Sequence, residues 1–136
     1  MKAIAISLTV PVLVMLGGCN GLERARIVVR YGSVAAVDST EVALDRLRVE
    51  QTLAAFSKES GFTCRPHIKR VEELTCRGPR DLHMTFRPVH NRAEFIAEFT
   101  WLDTGGRTPE EFADLVQRFS SAMAMTVGAE NVITST

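Results

Sequence analysis

The spacing of apolar and polar residues changes along the chain, and each change marks an element. In "ARIVVRY", Ala25, Ile27, Val29 and Tyr31 alternate with Arg26, Val28 and Arg30. A period of two predicts a strand over residues 25–31. Gly32-Ser33 breaks it, and "VAAV" beyond is ambiguous. Val42, Val49, Leu53 and Phe56 then fall on one side at helical spacing. Asp38 is placed to cap that helix, and Glu41 three residues later completes a capping box. Ser60-Gly61 ends it, with Gly61 suited to the left-handed C-terminal position and Phe62 placed to pack back.

From Phe62 the period returns toward two. Phe62 to Arg65 and Glu73 to Arg77 read as short strands, each with one cysteine. Leu82, Met84 and Phe86 alternate with His83, Thr85 and Arg87; Phe95, Ala97, Phe99 and Trp101 alternate with Glu94, Ile96, Glu98 and Thr100. With "PVHNR" as the turn, these two runs predict a hairpin with one apolar and one largely polar face. Arg87 is expected near Glu94 or Glu98 on the polar face. "DTGGRTPEE" is a loop leading into a second helix: Thr108 at the N-cap, Pro109 at the first helical position, Glu111 closing the box. Phe112, Leu115, Val116, Phe119, Met123 and Val127 form its apolar stripe, and Gly128 ends it. Asn131 to Thr134 is a short last strand or a loose tail.

Strand, helix, a run of strands, helix: this order implies an antiparallel sheet. Two amphipathic helices covering its apolar face give an α+β fold, a two-layer sandwich. No repeat or linker divides residues 25–136 into more than one domain.

The first residues have a different character. Met1-Lys2 is a short positive start, and Ala3 to Leu16 is uncharged and mostly apolar. That length suits a secretory h-region and is short of the roughly 20 apolar residues a spanning helix needs. Leu16-Gly17-Gly18-Cys19 follows and resembles the bacterial lipobox, Leu-small-small-Cys. The resemblance covers the signal segment and Cys19 only. It implies that residues 1–18 are a lipoprotein signal peptide, that the chain is cut before Cys19, and that Cys19 carries the lipid, palmitate among its acyl groups. Two or three acyl chains anchor stably where one binds reversibly, each methylene contributing about 0.8 kcal/mol. Residues 19–24 are then a lipidated tether. Asn20 does not fit the enteric inner-membrane retention signal, so the resemblance points to the periplasmic face of the outer membrane; the inner membrane and the cell surface are the alternatives.

Removing the first 18 of 136 residues leaves 118, enough for one modest core. Without Lys2, 15 basic side chains face 16 acidic ones. A near-neutral domain does not suggest a nucleic-acid partner. Cys64 and Cys76 are an even pair in an exported chain and read as a disulfide. A closed loop of about 13 residues contributes about 3 kcal/mol in the chain-entropy model. Their spacing fits neither the redox Cys-x-x-Cys motif nor the common zinc patterns.

No catalytic motif stands out, and no enzyme activity, cofactor or metal is expected. His67, His83 and His90 have no spacing that requires them to meet. Glu94 and Glu98 share a strand face roughly 13 Å apart, beyond the usual glycosidase separation. A glycan-acting hydrolase is therefore the weakest reading. The charge distribution is more informative. Residues 61–92 carry seven basic groups and three acids, whereas residues 93–136 carry seven acids and two basic groups. Arg65, Lys69, Arg70, Arg77 and Arg80 are the candidate contact residues, either for a protein partner or for an anionic envelope glycan or lipid. The competing reading is a solvated sheet face. The expectation is a lipoprotein acting by protein contact, as an accessory of an envelope machine or an immunity factor against a toxin.

Overall fold

The computed structural model describes residues 22–32, 39–89, 91–102 and 108–135. Residues 1–18, expected to be a signal peptide, lie outside them, as do Cys19 and Asp38. Six strands, β1 (Leu22–Arg30), β2 (Thr63–Pro66), β3 (Leu74–Arg77), β4 (Leu82–Pro88), β5 (Glu94–Leu102) and β6 (Val132–Ser135), form one antiparallel sheet in the order β2-β3-β4-β5-β1-β6. Among the described residues two helices complete the α+β fold, α1 (Thr40–Glu59) and α2 (Pro109–Val127), with a short 3-10 turn at Ala129–Asn131.

Strand β1 begins at Leu22, three residues before the alternating stretch, because Leu22, Glu23 and Arg24 pair with Leu102, Trp101 and Thr100 of β5. The expected tether is shortened accordingly. Helix α1 is capped by Ser39, whose side chain accepts from the Val42 amide, rather than by Asp38. Helix α2 starts as expected: the Thr108 hydroxyl accepts from the Glu111 amide and Pro109 takes the first position.

Ala25, Ile27 and Val29 of β1, Leu82, Met84 and Phe86 of β4, and Phe95, Ala97, Phe99 and Trp101 of β5 share a single core with the buried faces of both helices. Phe119 of α2 meets Phe56 of α1 and Phe99 of β5 edge-on, with centroids 5.1 and 5.2 Å away. These geometries suit the aromatic quadrupole. Gly32 is needed for space: a Cβ there would stand 2.7 Å from a Val42 methyl carbon. The chain thus passes tightly between α1 and Ala93, and the Tyr31 amide donates to the Ala93 carbonyl.

Cys64 and Cys76 face each other directly across β2 and β3 and form a disulfide, with Cα atoms 4.0 Å apart. The next turn is tight. Arg80 and Asp81 both have positive φ, at 55° and 61°, and the Leu82 amide donates back to the Pro79 carbonyl. Two consecutive left-handed residues make the mirror-image turn that matches the twist of a hairpin. Glycine or asparagine is the usual choice there, so this sequence accepts local strain.

Candidate functional site

The face of the sheet opposite the core is built from the alternate residues of each strand. Register places Arg65, Thr75, Thr85, Glu98 and Arg26 in one row across five strands, and Thr63, Arg77, His83, Thr100 and Arg24 in the next. The acids fall on the β1 side. Arg26 pairs with Glu98 at 3.3 Å and Arg30 with Glu94 at 3.1 Å. Arg87 instead lies opposite Ile96, so the expected pairing of Arg87 with either glutamate is replaced by pairs from β1. Both carboxylates of the Glu94 and Glu98 pair are engaged by arginines.

On the β2 side the same face is cationic. Thr63, Arg65, Thr75, Arg77 and His83 line a depression of about 470 Å³. Arg65 lies diagonal to Arg77 across β2 and β3, a relation that sets the two residues roughly 7–8 Å apart. No acid is among the described lining residues, and neither arginine is ion-paired with another described residue. Two guanidinium groups with threonine hydroxyls beside them are donors of the kind that suits carboxylate or phosphate.

The other three candidate residues lie elsewhere. Lys69 and Arg70 are in the β2–β3 loop, where the His67 ring nitrogen Nδ1 accepts from both their amides and the Arg70 side chain pairs with Glu73 at 2.9 Å. Arg80 sits in the strained turn and reaches Glu111 of α2 at 2.8 Å, tying the turn to the start of that helix. The five therefore do not form one patch: Arg65 and Arg77 converge, with His83 added by β4. His83 was legible only as a strand histidine, because its meeting with Arg77 depends on the β3–β4 register. His90 lies outside the described residues. No group of three or more His, Cys, Asp or Glu residues suited to a metal occurs among the described residues.

A second concavity lies on the core side. Helix α1 and the β2–β3 hairpin enclose a cleft of about 620 Å³, floored by Phe86 and Phe95 and walled by Leu53, Ala54, Phe62 and Leu74. Arg46 stands at its margin with its guanidinium 5.4 Å from the Phe95 ring centroid, a cation–π arrangement. Its charge also acts on the Tyr31 hydroxyl. Burial raises the Tyr31 pKa above its ordinary value; Glu50 adds to that rise and Arg46 opposes it. The sequence contained no sign of this cleft, because its walls come from residues spread between positions 46 and 95.

Among the described residues, no helix is long and apolar enough to cross a membrane. The chain matches no protein-family model and no curated protein sequence.

Proposed function

We propose that this chain is an outer-membrane lipoprotein, a two-layer α+β domain held by a lipid on Cys19. It acts by contact rather than by catalysis, and the contact is made through the sheet face around Arg65, Arg77 and His83. The observation that supports this reading is the depression lined by those three residues with Thr63 and Thr75, with no acid among its described lining residues. Arginine presents a planar fork that binds a carboxylate bidentately, so an acidic segment of an envelope protein or toxin is the partner that fits.

The Arg65→Ala/Arg77→Ala double variant is expected to keep its thermal stability, because both side chains are exposed and make no ion pair with described residues. Partner capture from solubilised envelope should fall by about a hundredfold if each arginine supplies a charge-assisted bond of about 1.5 kcal/mol. Capture that survives the double change at physiological salt would place the contact elsewhere.

A second reading is supported by position. Arg24, His83 and Arg77 occupy the row near the end of the sheet where the chain enters at Leu22. Only Asn20 and Gly21 separate Leu22 from Cys19. With a lipid on Cys19, that row is held near the membrane surface, where anionic headgroups or glycans are at hand. Binding of the full chain to vesicles that requires anionic lipid and weakens with salt would favour this reading over the acidic protein partner.

The anchor itself has a direct test. Cys19→Ala should abolish incorporation of labelled palmitate and either release the chain from the detergent-extracted membrane fraction or leave it as uncleaved precursor. A Cys19→Ala chain that still incorporates the label would sink the assignment.

A further inference from the structure

We propose that the cleft between α1 and the β2–β3 hairpin holds one fatty-acyl chain of an anionic amphiphile. Its volume of about 620 Å³ is within the range of small-molecule sites. Along its length it follows α1 from Arg46 to Lys58, both of which line it. At the helical rise that distance is about 18 Å, long enough for an extended acyl chain. The inner wall is Leu53, Ala54, Phe62, Leu74, Phe86 and Phe95.

The polar inventory of the wall separates an acyl chain from a peptide. Ser57 is the one uncharged polar side chain among its described lining residues, and its hydroxyl already lies 3.6 Å from the Cys64 sulfur. Between the charged groups of the rim, a peptide laid along the wall would bring backbone amides and carbonyls that find only Ser57 among the described lining side chains, at a cost of about 1–3 kcal/mol for each one left unpaired. An acyl chain brings none, and each methylene it buries contributes about 0.8 kcal/mol.

Charge at the rim favours an anionic headgroup at one end. Arg46 and Lys58 stand at the two ends, and neither is ion-paired with another described residue. Glu50 and Glu72 also line the rim, and they disfavour a negative group lying alongside the chain. The hairpin that forms the outer lip has a matching character. Ile68 is 95% exposed and Val71 75% exposed, with Lys69 and Arg70 between them. Apolar side chains flanking cations suit the boundary between acyl chains and anionic headgroups, from which an amphiphile would enter.

The test uses the purified full chain and a free fatty acid with a photoreactive diazirine near its methyl end. Irradiation should crosslink it to peptides covering residues 46–58 and 62–74. Ala54→Trp fills the cleft from an exposed helix position; it should reduce that labelling by about tenfold or more, equivalent to about 1.4 kcal/mol, with thermal unfolding unchanged. The Arg46→Gln/Lys58→Gln pair should abolish the preference for the fatty acid over the fatty alcohol of equal length while leaving alcohol labelling in place. Labelling unaffected by Ala54→Trp, labelling scattered outside these peptides, or none in the wild-type chain would overturn the proposal.

Discussion

Replacing Phe119 by alanine is expected to destabilise the domain by about 3–5 kcal/mol, the range for removing a buried phenylalanine. Phe119 is fully buried. Its ring is also the point where α2 touches both Phe56 of α1 and Phe99 of β5. Alanine would therefore leave a void shared by two helices and the sheet, and the surrounding backbone is poorly placed to close it from one side. A domain of this size has a total stability of about 5–15 kcal/mol, so the change removes a large share. Urea unfolding gives the check: the midpoint should fall while the slope stays that of the parent. Phe119→Leu, which keeps most of the volume, should recover more than half of the loss. A Phe119→Ala loss below about 1.5 kcal/mol would mean that the aromatic cluster contributes far less than its burial implies.

Removal of the disulfide should have the next largest effect. The Cys64→Ser/Cys76→Ser variant is expected to lose about 3 kcal/mol, mainly because the unfolded chain regains the freedom of the closed loop. Part of the loss should be local, since the bond joins two four-residue strands and β2 has only β3 as its partner in the sheet. Hydrogen exchange should therefore speed up over Thr63–Pro66 before it does over β4 and β5. Cys76 is fully buried, so serine there also leaves a polar group in an apolar setting; Cys64→Ala/Cys76→Val separates that contribution. Mass spectrometry of protein alkylated without reduction should find neither thiol modified. Ready alkylation of both in the native protein would contradict the bond.

Local signals in the sequence were reliable where one residue type has one role. Thr108, Pro109 and Glu111 can be read as a helix start without knowing what α2 packs against, and the structure has that start. Asp38-Ser39 offers two adjacent capping side chains, and pattern alone does not choose between them. The structure's choice of Ser39 comes with the burial of Val42, Val49, Leu53 and Phe56. Alternation identified β4 and β5 because each has one buried face. It could not show that β1 returns to lie beside β5, since that pairing joins residues about 70 positions apart. Glu94 and Glu98 are consequently paired with Arg30 and Arg26 of β1 rather than with Arg87 of β4.

The candidate site has the same division. Arg65 and Arg77 were visible as part of a basic stretch, and Cys64 and Cys76 as a disulfide between two short strands; that these strands pair directly comes from the structure. Which arginines converge depends on register: one residue of slip would have turned both toward the core. Arg80 belongs to the same stretch by composition, yet the positive φ of Arg80 and Asp81 turns the chain there and directs Arg80 to Glu111.

The two outermost strands have a consequence for copies of the chain crowded on one surface. An unpaired strand edge is a template for edge-to-edge association, and anchoring many copies in a plane would raise the encounter rate. Strands β2 and β6 each offer only four residues. Pro66 lacks an amide hydrogen to donate, and Arg65 places a charge beside it, so two copies meeting at β2 would bring like charges together. The sheet therefore ends in edges that resist aggregation, while the face bearing Arg65 and Arg77 stays uncovered by the helices.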